Sequence, residues 1–331
     1  MDLLEHITGP SVSLEEMLAE REWRAEEEAR QLNGCETLIV LTTNVAGPVK
    51  SFPLLRRGFE EAQHLLETRL REEGISWCRR GTHFHRGGPT AFYAAQAQAP
   101  AVKRVACGVE ETPYLGRLLD IDVLTAEGVK WERSQVGYPP RQCLLRDRPA
   151  FEGGRSRRHS VEELQREAVR RLGEYMLSRY ARQVEQAALR AMLYEVSVTP
   201  KPGLVDRRDC GAHQDMDFFT FVDSAAAIAP YFETLCRLGF HDSQGGEMFC
   251  RSIRTLGMDA EAAMYRATGG VNTHKGLIFS LGLLAAAAGQ WYARHLEASE
   301  TCLTAEALCE QEAVLAREFL PGLGRTAGTH G

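Results

Sequence analysis

The sequence has no CxxC pair, no excess of basic residues and no apolar N-terminal run. Its nine cysteines are spread singly, and an odd number cannot pair completely. This favours free thiols in a reducing compartment, the cytoplasm, over a disulfide framework or a zinc ribbon. The formal net charge of −6 excludes the global basic surface that nucleic-acid binding needs. Early acids within residues 1–16 are not typical of a signal peptide.

Long uncharged stretches are also scarce. One of them is long enough to ask whether it could span a membrane. Residues 277–293 carry no charge, but the run is short for a membrane span, is rich in alanine and glycine, and contains Gln290. We interpret it as a helix buried in protein, so we expect no membrane partner.

Length and pattern predict two domains. The 331 residues, of which 44% are hydrophobic, are enough for two cores of about 150 residues each. The first half mixes helix and strand patterns. Helices are expected over 13–32, where Ser13 and Glu16 form a capping box, and over 52–73. Strands are expected over 37–44, 75–78, 102–110 and 120–125.

The pattern changes after about residue 150. Residues 151–160 are rich in Gly, Arg and Ser and indicate an exposed connection. From Val161 onward nearly every segment has helical spacing, and no convincing strand appears. The domain boundary is therefore expected between about 150 and 180.

Asp120 and Asp122 are the most informative acids of the first half. They stand two apart on an expected strand, so both carboxylates face the same side. Such a pair fits a Mg²⁺ ion bound to substrate phosphates, because the ion separates two charges that otherwise repel. It equally fits two ordinary acids on a solvated strand edge. Lys50, after the turn at Gly47, and Arg117 are phosphate-binding candidates or ordinary surface bases.

An arginine-rich segment follows between residues 133 and 158, with seven arginines against Asp147 and Glu152. It fits either the steering of an acidic carrier protein or nucleotide, or a basic solvated linker. The arginines are Arg133, Arg141, Arg146, Arg148, Arg155, Arg157 and Arg158.

Four motifs of the first half resemble the holo-citrate-lyase synthase family, also called apo-citrate lyase phosphoribosyl-dephospho-CoA transferases. They are SLEEMLAEREWRAEEEARQL (13–32), NVAGPVK (44–50), LGRLLDIDVLTAEG (115–128) and PPRQCLL (139–145). The resemblance implies transfer of a phosphoribosyl-dephospho-CoA group to a serine of the lyase's acyl carrier subunit, with release of pyrophosphate. It implies that Asp120 and Asp122 are catalytic metal ligands. The implied supporting or phosphate-binding residues are Arg21, Asn44, Lys50, Arg117 and Arg141.

His83 and His85 form an HxH pattern outside that family's motifs. On a strand they would share a face and could ligate a metal. We favour a solvated loop.

Three polar clusters interrupt the apolar helices of the second half: EVSVTPKPGLVDRR (195–208), GAHQDMD (211–217) and ATGGVNTHKGLIFSLGLL (267–284). The first places Lys201 on a proline-rich loop between helices. The last places Lys275 at a helix start, where backbone N–H groups favour phosphate. Together they indicate a polyphosphate and Mg²⁺ site.

These clusters closely resemble the triphosphoribosyl-dephospho-CoA synthase family, which joins ATP to 3′-dephospho-CoA and releases adenine. The resemblance implies Lys201 and Lys275 as triphosphate ligands and Asp215 and Asp217 as metal or oxocarbenium-stabilising groups. The acid/base and substrate-binding candidates are Glu195, Asp206, His213, Asn272 and His274. Relatives continue past the point equivalent to Gly331, so we also expect that this half is incomplete.

Pattern and resemblance together predict an α+β, nucleotidyltransferase-like domain over 1–165 and an all-α domain over 175–331. The favoured function is a bifunctional maturation enzyme of citrate lyase. The alternatives are a chain in which only the transferase works, and a non-catalytic scaffold. Malonate decarboxylase carries the same prosthetic group, so the choice of carrier depends on the resemblance.

Overall fold

The computed structural model describes residues 3–145, 159–242, 245–297 and 303–323. The chain forms two compact units whose boundary falls between Met176 and Leu177. That boundary lies within one long helix.

The first unit is built on a four-stranded antiparallel sheet of order β2-β3-β1-β4. The strands are β1 (Thr37–Thr43), β2 (Trp77–His85), β3 (Gly88–Ala95) and β4 (Leu119–Thr125). β1 lies in the centre and pairs with both β3 and β4. β4 is therefore an edge strand, and the backbone groups on its outer side have no partner strand.

Three helices cover this sheet: α1 (Leu14–Gln31), α2 (Pro53–Glu72) and α3 (Ala99–Glu110). On one face, Trp23 of α1 packs on a cluster that includes Val40, Phe92 and Leu124. The opposite face, with the fully buried Ile39 and Ile121, packs against α2 and α3. The expected capping box of α1 is present, since Ser13 and Glu16 bond each other's backbone N–H groups.

Two expectations for this unit are wrong. Residues 102–110 form α3 and not a strand, because Val102, Val105, Ala106 and Val109 are buried at helical spacing on one face. The histidines of the HxH pattern do not lie in a solvated loop, because β2 continues through them. β3 was not expected at all. It is a strand buried along its whole length, which removes the alternation of polar and apolar residues that reveals a half-buried strand.

The regular secondary structure of the second unit is all helical in its described residues. α4 (Val161–Ser197) begins in the first unit and continues into the second. It is followed by α5 (Phe218–His241), α6 (Glu247–Ala267), α7 (Lys275–Arg294) and α8 (Ala305–Leu323). The core between these helices includes Met192, Phe232, Phe249, Met264 and Leu283. The expected α+β unit followed by a helical unit is thus present.

α7 contains the run tested above for a membrane span. Among the described residues it is the one helix that is long and apolar enough to cross a bilayer. Of its most apolar window, 61% is buried inside the protein, and α7 packs against α5, α6 and α8. This agrees with the interpretation of residues 277–293 as a buried core helix.

Candidate active sites

β4 presents the two predicted carboxylates on one side. Leu119, Ile121 and Val123 are buried beneath the strand, so the alternation of side chains turns Asp120 and Asp122 to the opposite face. Their side chains are 49% and 29% exposed. The spacing of the GRLLDIDV segment therefore places both carboxylates side by side, as predicted.

The free edge of β4 gathers charged side chains next to this pair. An edge strand has backbone groups without a partner strand, and here side chains bind them. Glu110 accepts the N–H of Ile121 at 2.8 Å, and Lys103 donates to the Ile121 carbonyl at 2.8 Å. Arg141 donates to the Leu119 carbonyl at 2.8 Å. Glu110 and Lys103 are buried, so the strand edge fixes their charges beside the aspartates.

Two basic side chains pair with the aspartates. After β4 the chain turns and Leu124 pairs with Lys130, which brings the Lys130 Nζ to 2.7 Å from Asp122 Oδ1. Arg141 Nη2 lies 3.2 Å from Asp120 Oδ1. Burial lowers the pKa of Lys130, but its hydrogen bond and attraction to Asp122 outweigh burial and the net pKa is raised.

These groups line an open cleft of about 380 Å³. Arg133 also reaches it, with Nη1 2.6 Å from the Glu110 carboxylate. The lining contains four acidic and four basic side chains, which suits a ligand that carries both phosphate groups and a cation. The charged lining residues are Lys103, Glu110, Asp120, Asp122, Lys130, Glu132, Arg133 and Arg141.

Two further bases of this unit, Arg117 and Lys50, form no salt bridge with a carboxylate among the described residues, although Glu111 is near enough to Arg117 to raise its pKa slightly against the effects below. Burial and the nearby positive charges of Arg141 and Arg171 lower the pKa of Arg117. Burial lowers the pKa of Lys50, whose Nζ donates to the Val45 carbonyl at 2.5 Å. A half-buried cation that forms no salt bridge is a suitable anion ligand.

The other predicted residues of the first unit are more dispersed. Asn44 is exposed at the end of β1, and its backbone N–H bonds the Leu118 carbonyl at 2.8 Å, beside Arg117. Arg21 is exposed on α1 and is not among the described residues that line the cleft. Arg146, Arg148, Arg155, Arg157 and Arg158 of the arginine-rich segment lie outside the described residues.

His83 and His85 pack against α1. The His85 Nδ1 lies 2.8 Å from a Glu20 carboxylate oxygen. The Trp23 ring centroid is 4.2 Å from that of His85 and 5.1 Å from that of His83. These contacts anchor α1 on the edge strand β2.

In the second unit, residues from separate sequence clusters meet. Lys201 Nζ lies 2.8 Å from Glu195 Oε1, which joins the loop after α4 to the end of that helix. His274, from the loop before α7, is close enough to Glu195 for the carboxylate to raise its pKa. Burial acts in the opposite direction and dominates, so the pKa of His274 is lowered to about 4.

Asp206 organises the loop that carries Lys201. Its carboxylate accepts the backbone N–H groups of Arg208 at 2.6 Å, Lys201 at 3.0 Å and Asp209 at 3.2 Å. The N–H of Arg208 makes the largest contribution to lowering its pKa. The loop lines an open pocket of about 430 Å³, whose lining includes Lys201, Asp206 and Arg208.

Asp217 caps α5, since its Oδ1 accepts the Thr220 N–H at 2.8 Å. That hydrogen bond is the main reason that its pKa is lowered. Asp215 and His213 are exposed on the preceding loop. Within the described residues, no three His, Cys, Asp or Glu side chains converge to hold a metal ion, so the metal assignments stay predictions.

The start of α7 carries the remaining candidates. Asn272 Oδ1 accepts the Lys275 N–H at 3.2 Å, and Lys275 Nζ lies 3.5 Å from Glu261. His274 is 4% exposed, and its Nδ1 lies 2.7 Å from the hydroxyl of Ser224. Ser224 was not predicted from the sequence, because a single serine in an alanine-rich helix has no distinctive pattern.

Comparison with known families divides the chain at the same place as the fold. Residues 12–175 match the family described as apo-citrate lyase phosphoribosyl-dephospho-CoA transferase. Residues 181–320 match the family described as ATP:dephospho-CoA triphosphoribosyl transferase. The chain is a fusion of these two families.

Proteins similar to most of this chain occur in two bacteria. Protein CitXG of Leuconostoc mesenteroides subsp. cremoris is 35% identical over 294 residues, covering 84% of this chain and 62% of that protein. Protein CitXG of Haemophilus influenzae is 32% identical over 288 residues, covering 86% of this chain and 61% of that protein. The chain thus spans about three fifths of the length of these relatives.

The second half alone has a more similar relative. A probable 2-(5″-triphosphoribosyl)-3′-dephosphocoenzyme-A synthase of Streptococcus equi subsp. zooepidemicus is 50% identical over 133 residues. The match covers 38% of this chain and 45% of that protein.

Proposed function

We propose that the chain is a bifunctional, cytoplasmic maturation enzyme of citrate lyase. One half forms 2′-(5″-triphosphoribosyl)-3′-dephospho-CoA from ATP and 3′-dephospho-CoA. The other half transfers the phosphoribosyl-dephospho-CoA group to a serine of the acyl carrier subunit. The observation that carries the proposal is that both families occur in one chain, each over a unit with its own cluster of charged residues.

The transfer step is assigned to the cleft beside β4. The carrier serine oxygen forms a bond to the phosphorus nearest the ribose, and the bond from that phosphorus to the pyrophosphate breaks. The serine proton is released to water or to a base. We infer that the sheet bearing the acid pair is nucleotidyltransferase-like, a fold on which such a substitution is carried out beside paired carboxylates.

The donor set of this cleft suits Mg²⁺. Asp120 and Asp122 offer hard oxygen ligands on one face, and substrate phosphates would supply more. The ion would neutralise charge on the departing pyrophosphate. Lys130 and Arg141, which pair with the aspartates, would then be free to bind phosphate oxygens. Arg117 and Lys50 would bind the remaining phosphate charge, because neither forms a salt bridge with a carboxylate among the described residues.

The synthase step is assigned to the convergence of Glu195, Lys201 and His274. The ribose 2′-hydroxyl of dephospho-CoA displaces adenine from the ribose C1 of ATP, through an oxocarbenium-like state. Lys201 and Lys275 would hold the triphosphate, and Asp215 with Asp217 would hold a Mg²⁺ ion or stabilise the cationic ribose. Glu195 is half exposed and is suited to accept the hydroxyl proton.

The two steps can be assayed separately on the full chain. Incubation with ATP, Mg²⁺ and 3′-dephospho-CoA should release adenine, detected by chromatography. Incubation with the preformed precursor and the apo-carrier should release pyrophosphate and increase the carrier mass. Absence of adenine would refute the synthase assignment, and absence of carrier labelling would refute the transferase assignment.

A further inference from the structure

Three polar side chains, two of them buried, form a chain of hydrogen bonds between α5 and the start of α7. Ser224 is fully buried and His274 is 4% exposed. The Thr273 hydroxyl lies 2.7 Å from Ser224 Oγ, and Ser224 Oγ lies 2.7 Å from His274 Nδ1. We name Thr273 and Ser224 the hydroxyl relay.

Two arrangements of hydrogens fit these distances, because each hydroxyl can donate or accept. In the arrangement that we adopt, Thr273 donates its hydroxyl hydrogen to Ser224; in the reverse one, His274 Nδ1–H donates to Ser224 and Ser224 donates to Thr273. Ser224 has one hydrogen, and the remaining neighbour within reach is His274 Nδ1. A ring nitrogen that accepts carries no hydrogen, so the hydrogen of a neutral imidazole is on Nε2.

The surroundings keep the ring neutral and fixed. Burial lowers the pKa of His274 to about 4, against a smaller opposing effect of Glu195. The backbone N–H of His274 bonds the Met264 sulfur at 3.2 Å. The Phe221 ring packs edge-on at a centroid distance of 5.0 Å. Glu195 of α4, which pairs with Lys201, is the charged group that acts on the pKa of His274, and Lys275 follows His274 in the chain.

Nε2 is the polar atom of this ring that has no partner among the described residues. Nε2 is not one of the polar atoms that lack both a hydrogen bond and contact with solvent. It is therefore accessible from solvent. The ring that carries this N–H donor is near Glu195, which pairs with Lys201.

We propose that Thr273 and Ser224 are positioning residues that hold His274 in its Nε2–H tautomer, so that His274 donates a hydrogen bond to an oxygen of bound ATP. This assignment rests on the proposed synthase function and changes the role of His274 within it. The histidine is a donor, and the acceptor of the hydroxyl proton is then another group, for which Glu195 is placed.

Nitrogen NMR of the full chain tests the tautomer directly. The protein is labelled with ¹⁵N-histidine and compared with a His274→Gln variant to assign the His274 signals at pH 7. We expect a non-protonated Nδ1 and a protonated Nε2. A protonated Nδ1 or a doubly protonated ring would overturn the proposal.

Variants of the relay link the tautomer to activity. Ser224→Ala and Thr273→Val should mix the tautomers and reduce kcat/KM for ATP, measured as adenine release, on the order of tenfold. Thr273→Ser keeps the hydroxyl and should retain both the Nε2–H tautomer and the wild-type kcat/KM for ATP. Ser280→Ala is the matched control, because the Ser280 hydroxyl is exposed and bonds its own helix. Unchanged tautomers and activity in Ser224→Ala, with circular dichroism confirming the fold, would also overturn the proposal.

The two readouts separate the relay from the synthase function. The expected tautomer without any adenine release by the wild-type chain would leave the relay in place and refute the synthase assignment. Adenine release with the opposite tautomer would refute the relay alone.

Discussion

Glu110 joins the fold of the first unit to its cleft. It is buried, accepts the Ile121 N–H and pairs with Arg133 and Arg141. Glu110→Gln removes the charge that both guanidinium groups face. We expect the free energy of unfolding to fall by about 3 kcal/mol, because two partly buried charges lose their shared buried partner and keep only the more exposed Glu111 and Asp120. Urea unfolding followed by circular dichroism measures this loss.

Glu111 provides the matched control, because it also pairs with Arg133 but its side chain is 49% exposed. Glu111→Gln should cost less than about 1 kcal/mol. Equal losses for the two variants would contradict the central role given to Glu110.

Asp122 tests the proposed metal site. Asp122→Asn keeps the size of the side chain and its place on β4 but removes the charge. Transfer of supplied precursor to the carrier should fall by about 100-fold or more, because charge stabilisation of the leaving group is lost. Glu127→Gln, in the exposed turn after β4, should label the carrier at the wild-type rate. Normal labelling by Asp122→Asn would refute the metal assignment.

His274 predicts a pH dependence of stability. Its pKa is lowered from 6.5 to about 4 in the folded chain, so the folded state resists protonation. The neutral ring's contribution to the free energy of unfolding is complete above pH 6.5 and is lost as the pH falls towards 4. Its full size is about 3 kcal/mol, at about 1.4 kcal/mol per pKa unit. Denaturant unfolding between pH 7 and 4 should show a smaller loss of unfolding free energy for His274→Asn than for the wild type. If the unfolding free energies of the two proteins fell in parallel with pH, a buried neutral His274 ring would be contradicted.

At the scale of elements, α5 and α7 approach closely at two glycines. A Cβ on Gly289 would lie 1.9 Å from the Cys236 carbonyl oxygen, and one on Gly239 would lie 2.0 Å from that of Ala286. Gly289→Ala must therefore separate the helices and should destabilise the chain by about 2 kcal/mol or more.

Gly257 of α6 is the control, because a Cβ there meets nothing within 4 Å. Gly257→Ala should raise the free energy of unfolding by about 0.5–1 kcal/mol, since alanine favours a helix interior. Thermal unfolding of both variants checks this, and a tolerated Gly289→Ala would contradict the close helix contact.

Elements with a simple period could be predicted from sequence, and others could not. β1, β4, α1 and α2 follow from β-branched runs and capped amphipathic patterns. α3 was missed because its valines were weighted above their helical spacing. β3 was missed because a strand buried on both faces has no alternation.

The same limit applies to the sites. The Asp120 and Asp122 pair was predictable because a two-residue spacing on a strand fixes a common face. The meeting of Glu195, Lys201 and His274 joins residues up to 79 positions apart, and Ser224 is placed by helix packing alone. Such contacts depend on tertiary structure, which local pattern does not encode.

At the scale of the whole molecule, the proposal places two consecutive reactions in one chain. The first makes the triphosphate that the second consumes, so inactivating either site should block carrier labelling from ATP. Asp122→Asn should still release adenine, whereas Lys201→Ala should label the carrier only from supplied precursor. A mixture of the two variants should restore labelling, because the precursor can pass between molecules.

The central claim is tested most directly by one reaction of the wild-type chain with ATP, Mg²⁺, 3′-dephospho-CoA and apo-carrier. Intact mass spectrometry of the carrier, with adenine and pyrophosphate measured in parallel, follows both steps. We predict that one phosphoribosyl-dephospho-CoA group is attached per carrier, with one adenine and one pyrophosphate released for each. An unmodified carrier, in a reaction where separately supplied precursor is transferred normally, would contradict the claim that this chain carries out both steps.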